Sequence, residues 1–167
     1  MASDTTSFDI ICDRFYKRLE KDDEFFNYYN IEMSEAQELA HKRAKGYLID
    51  VLDKLSQVGD LQVDFSDYDE ELEVINFEIK PKEIRLIVDL MFQEYMEKDI
   101  PLLHAFKINF TPSDLNIITP STERRTYTDL IDSLNTKNEA SLDNYKNRDR
   151  NTGKLLKVID YSKYGDE

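Results

Sequence analysis

Apolar positions at three- and four-residue steps open the chain, with Phe8, Ile11, Cys12, Phe15 and Leu19 set between Asp9, Asp13, Arg14, Lys17 and Arg18. That spacing predicts an amphipathic helix over about Ser7 to Lys21. A short cluster, Phe25, Phe26, Tyr28, Tyr29 and Ile31, follows Asp22 and Asp23 and predicts one or two further turns packed on the first helix. From Ser34 to Gln57, Ala36, Leu39, Ala40, Ala44, Tyr47, Leu48, Val51, Leu52 and Leu55 form a continuous stripe. The tetrapeptide SEAQ at its start has capping-box form, with Ser34 and Gln37 satisfying amides of the first turn, and Gly59 is a natural stop. Between Asp60 and Lys80 the period falls to two. LQVDF and LEVINFEI alternate around the charged, turn-forming SDYDEE, which predicts a β-hairpin lying on helices or extending a larger sheet.

Pro81 suits the first turn of a helix in which Ile84, Leu86, Ile87, Val88, Leu90, Met91, Phe92, Tyr95 and Met96 cover most of the circumference, so this element is expected at the centre of the core. Pro101, in IPLLHAFKI, predicts a kink or a restart. Thr119 and Pro120 then read as a cap and a first helical residue. The pattern Tyr127, Leu130, Ile131, Leu134, Leu142, Tyr145 follows without Gly or Pro until Gly153. About 28 residues at 1.5 Å each give roughly 40 Å, more than a small domain's ~30 Å, so part of this helix is expected to project. Its polar second half, NTKNEASLDNYKNRDR, leaves a thin seam that predicts contact with another subunit. The expected fold is mainly α: a compact helical bundle with a small β hairpin, one long protruding helix and an extended C-terminal tail. Residues 1–118 would form the core, with the hairpin at about 60–80, residues 119–149 the long helix, and residues 150–167 a tail docking on a partner.

Charge sharpens that division. The 167 residues hold 22 Lys plus Arg against 35 Asp plus Glu, a formal net charge of -13. From Asn144 to Tyr164, however, Lys146, Arg148, Arg150, Lys154, Lys157 and Lys163 face only Asp149 and Asp160. The body is acidic and the tail basic. An acidic body is a poor ligand for phosphate backbones, since affinity there depends on cations releasing counterions. Within the tail, Lys154, Leu155, Leu156, Lys157, Val158, Ile159 and Tyr161 combine strand formers with positive charge, which predicts strand addition to a partner's sheet or packing into its groove. The single cysteine excludes an internal disulfide, and no apolar run has the length of a membrane span or the form of a signal peptide.

No motif carries catalytic chemistry. His41 and His104 lack partners at zinc spacing, so no metal site is expected. Asp64, Asp67, Asp69 and Glu71 resemble oxygen ligands for calcium, yet the loop lacks the glycine and distal glutamate of an EF-hand. Cys12 lies on an apolar stripe and reads as a small core residue. The 4 glycines stand singly, with no phosphate cradle. The chain is expected to be neither an enzyme nor a cofactor carrier.

The order of segments is more informative than any motif. FDIICDRFYKRLEKDDEFF, the helix ending YLIDVLDKL, the acidic strand pair, the buried EIRLIVDLMFQEYMEKDI and FTPSDLN before a capped long helix together span roughly residues 8 to 147. This series resembles the neck proteins of tailed bacteriophages, the head-tail connector adaptors that attach beneath the portal. The segment FTPSDLNIITPSTERRTYTDL departs from that pattern in its extra Thr and Pro residues. The resemblance implies a structural virion protein of the neck, assembled in the host cytoplasm: a homo-oligomeric ring, commonly of twelve copies, that links the portal to the tail. It also implies a channel through which DNA passes without specific binding. On that view Asp64, Asp67, Asp69, Glu70, Glu71 and Glu73 face the channel or an adjacent ring, the segment Lys154 to Tyr161 docks on the portal, and Tyr127, Leu130, Ile131, Leu134, Leu142 and Tyr145 form a seam between subunits. Two alternatives stand beside it: a small acidic inhibitor imitating DNA, and a helical regulator binding one partner helix.

Overall fold

The computed structural model describes residues 5–19, 32–109 and 120–156, with the backbone alone at 99–109 and 120–127. The aromatic cluster at 25–31 lies outside the described residues. The chain is mainly helical: β1 (Thr6–Ser7), α1 (Phe8–Arg18), α2 (Met33–Ser56), β2 (Tyr68–Asp69), β3 (Val74–Ile75), α3 (Pro81–Asn109) and α4 (Pro120–Lys146) follow in order. α1 starts where the chain turns from extended to helical at Ser7, whose Oγ accepts from the amide of Asp9. Its expected stripe, Phe8, Ile11, Cys12 and Phe15 with the following Leu19, is buried in full.

α2 buries the expected face except Leu39, which is exposed at the edge of the stripe. Its first turn differs from the capping-box expectation, because the helix begins at Met33 and the cap position falls on Glu32, two residues before Ser34, without a side-chain bond. Past its end, Asp60 and not Gly59 takes the left-handed conformation, at φ 64. Asp tolerates that region better than most residues.

The hairpin is real but displaced. LQVDF is irregular, and the first strand is Tyr68–Asp69, inside the stretch read as a turn. β3 is the central strand: it pairs antiparallel with β2 (Tyr68↔Ile75, Asp69↔Val74) and, on its other edge, with β1 (Thr6↔Ile75, Ser7↔Val74). The Thr6 Oγ1 donates to the carbonyl of Phe77 and accepts from the amide of Ile79, which ties the chain's start to the approach to α3.

α3 is central, packing against α1, α2 and α4. Its backbone stays helical through Pro101 to Asn109, since the loss of one amide need not end a helix. It is also less uniformly apolar than its sequence suggests, for Glu83, Asp89 and Glu94 are buried on it. Each meets a cation from a different element: Glu83 pairs with Arg150, Asp89 with Arg18 at the end of α1, and Glu94 with Lys54 at the end of α2. A buried carboxylate is tolerated only with such compensation.

α4 folds back antiparallel on α3, so its polar second half lies against the chain's own body. Asn138, nearly fully buried, donates to the Asp89 carbonyl (3.2 Å) and to Gln93 Oε1 (2.7 Å), while the Tyr145 hydroxyl donates to Glu83 (2.6 Å). A polar helix packs here through matched hydrogen bonds, which a hydrophobic pattern cannot register.

Candidate interaction surface

The segment after α4 returns to the core as an ordered loop. Leu156 N donates to Asn147 O (2.9 Å), Asp149 N to Lys154 O (2.7 Å) and Gly153 N to Asp149 O (2.8 Å), with Arg148 and Leu155 bridged as in a short hairpin. The Asp149 carboxylate accepts from the amide and hydroxyl of Thr152 (both 2.6 Å), bonds that hold its pKa below the usual range. Gly153 supplies the positive φ (71) the turn needs.

Two side chains fasten this loop. Gln62, from the irregular stretch before β2, donates to Arg148 O (2.8 Å) and accepts from Arg150 N (2.9 Å). Arg150 then inserts its guanidinium towards fully buried Glu83, with Nε 2.6 Å and Nη2 2.9 Å from the two carboxylate oxygens and a further bond to Glu78 O. Glu83 also accepts from Lys80 N (2.7 Å), closing half a capping box at the start of α3. Burial alone would raise the Glu83 pKa, but the bonds from Arg150, Tyr145 and Lys80 outweigh it and hold the carboxyl below its ordinary value. Burial and the adjoining carboxylate push the Tyr145 hydroxyl pKa up.

The residues expected to contact partners divide accordingly. Of the proposed seam, Ile131 is buried, Leu142 and Tyr145 pack against the chain's own core, Leu134 is half-buried and Leu130 is exposed. The side chain of Tyr127 lies outside the described residues. Of the docking segment, Lys154, Leu155 and Leu156 are exposed, the two leucines to 54% and 48%, and Lys157, Val158, Ile159 and Tyr161 lie outside the described residues.

Most of the acidic hairpin is committed locally. Asp64 accepts from Ser66 N and Oγ, Asp67 from Asn76 Nδ2 and Asp69 from Leu72 N. Glu73, at φ 55, receives Lys45 Nζ (2.9 Å) and lies 3.4 Å from His41 Nε2; these contacts hold its pKa down. Glu70, Glu71 and Leu72 are exposed at the tip, Leu72 to 72%.

Asp9, His41 and Glu73 form a group of metal-ligating type that sequence spacing did not reveal, because its members come from α1, α2 and the hairpin turn. The Lys45 ammonium already neutralises the Glu73 carboxylate, and Asp9 is 71% exposed, so the cluster reads as a polar network built on the Lys45–Glu73 ion pair and joining three elements. Cys12 is buried with its pKa pushed up to about 12, first by burial and then by Asp9 and Asp13, as befits an unreactive core thiol.

The class that fold and surface define is a small, mainly helical protein with an acidic hairpin tip and a fastened, basic C-terminal loop. No family model, curated protein or solved structure matches the chain.

Proposed function

We propose that the chain is a structural assembly subunit, an adaptor of the tailed-bacteriophage neck that joins the portal to the tail and forms part of the DNA conduit. The observation that carries this reading is the pair Leu155 and Leu156, exposed on a loop that Gln62 and Glu83 fix to the body. Consecutive exposed leucines at the start of a strand-prone, basic run serve docking better than they serve a free terminus. The fixed loop orders the base of the docking segment before binding, which lowers the entropic cost of association. Glu70 and Glu71, exposed at the hairpin tip, are free to face an adjacent subunit, and the net charge of -13 would keep a duplex from adhering to the conduit.

Co-sedimentation with purified portal assemblies tests the reading. The full chain should travel with the portal, and a chain truncated after Asn151, which retains Arg150, should stay folded and remain in the supernatant. Failure of the full chain to co-sediment would overturn the neck assignment, and attachment of the truncated chain would overturn docking through residues 154–161.

A further inference from the structure

A cleft of about 230 Å³ opens between the first half of α3 and the last turns of α4, lined by Lys82, Arg85, Leu86, Lys137, Ser141 and Asn144 among others. A neighbouring hollow on the α1 side shares Arg85 and Lys137 and adds Arg14. Several other charges at this face are answered within the chain: Arg18 by Asp89, Lys80 by Glu78 and Arg150 by Glu83, while the Asp149 carboxylate, bonded to the neutral Thr152, is drawn electrostatically to Lys82. Arg14, Arg85 and Lys137 are exposed and have no ion pair among the described residues, and Lys82, also exposed, has only the attraction of Asp149. In a chain with net charge -13, these cations, spread over two adjoining hollows that share Arg85 and Lys137, form a site for an anionic group.

The same chain presents a group of that chemistry. At the hairpin tip Glu70 and Glu71 project beside Leu72, two free carboxylates next to an exposed apolar side chain. The tip stands on the α2 side, where Lys45 Nζ holds the Glu70 carbonyl (3.0 Å), whereas the cleft lies on the α4 side, with α3 between α2 and α4. One molecule therefore cannot bring its own tip to its own cleft. We propose that the cleft receives the Glu70–Glu71–Leu72 tip of a second copy. The contact is heterologous, a tip on one copy and a cleft on the next, and such contacts propagate into rings or filaments. The remaining acidic surface would repel a long nucleic-acid duplex but can admit a short acidic peptide. This deepens the proposed assembly role by naming the surfaces through which copies meet, and it requires neither the portal nor residues after Leu156.

Sedimentation velocity of the full-length chain at low and high ionic strength provides the test, with circular dichroism confirming that every variant folds. The wild type should self-associate at low salt and lose association as salt screens the contact. Glu70→Lys/Glu71→Lys and Lys82→Glu/Arg85→Glu should each weaken association by about tenfold or more. An equimolar mixture of the two variants should recover it, since the reversed tip of one then meets the reversed cleft of the other. Wild type that stays monomeric at low salt, variants that associate like wild type, or a mixture that fails to recover would each overturn the contact. So would duplex DNA binding that the cleft variant alone abolishes, which would assign the cleft to phosphate. Portal co-sedimentation can succeed or fail independently of all four outcomes.

Discussion

Replacing Arg150 with Met keeps most of the aliphatic stem and removes the cation from a carboxylate with no solvent access. Glu83 would keep its bonds from Tyr145 and Lys80 but would hold a buried charge without a counter-ion. Breaking a buried pair in this way costs about 3–5 kcal/mol. At the lower figure, the thermal midpoint of a chain this size falls by about 6–12 °C. The pH dependence separates an ionic from a packing origin. In the wild type, the depressed Glu83 pKa contributes stability that is present above the unfolded carboxyl value, ~4.3, and is lost as pH falls through the folded pKa. Without Arg150 the carboxyl pKa rises from its wild-type position, so the variant's deficit should be largest near neutral pH and shrink on acidification. Urea unfolding of wild type, Arg150→Met and Glu83→Gln/Arg150→Met across that range measures both effects, and the double variant, with no buried charge, should recover part of the loss. A single variant within about 0.5 kcal/mol of wild type at neutral pH, with the same pH slope, would refute the reasoning.

Phe65, fully buried with edge-on contacts to Phe77 (5.8 Å between centroids) and Tyr145 (6.5 Å), should cost about 3–5 kcal/mol when replaced by Ala, measured by chemical unfolding. Gly153→Ala forces a side chain into a left-handed turn with its Cβ 2.8 Å from Lys82 Nζ. A loss of about 1–2 kcal/mol is expected, read as faster amide exchange in residues 147–156 with little change in α1. Cys12 should resist thiol reagents in the native state and react on unfolding; stoichiometric labelling under native conditions would contradict its burial and raised pKa.

Where apolar periodicity was strong, the chain was legible. Phe8, Ile11, Cys12, Phe15 and Leu19 lie in the core as their spacing required, and the mainly helical architecture with a small sheet follows from the same signal. The displaced hairpin shows the limit: strands of two residues leave little alternation to read, and Thr6–Ser7 joins β3 from a distant part of the chain. The second half of α4 shows another. Asn138 and Tyr145 bury themselves through specific acceptors on α3, information held in pairs of positions and invisible along one segment. Arg150 likewise read as tail charge because its partner, Glu83, stands 67 residues away. The unpaired cleft cations were obscured for the same reason, since which charges remain free emerges only once Arg18, Lys80 and Arg150 have found their carboxylates.

The three carboxylates of α3 have a consequence for the uniqueness of the native state. Leu, Ile and Val interchange with modest loss, so greasy surfaces alone accept a helix slid along its neighbour by one turn. Here such a slip of α1, α2 or the C-terminal loop would leave a buried carboxylate without its cation. α1, α2 and the C-terminal loop thus each bring their own proofreading contact to the central helix, and near-miss alignments are rejected one by one.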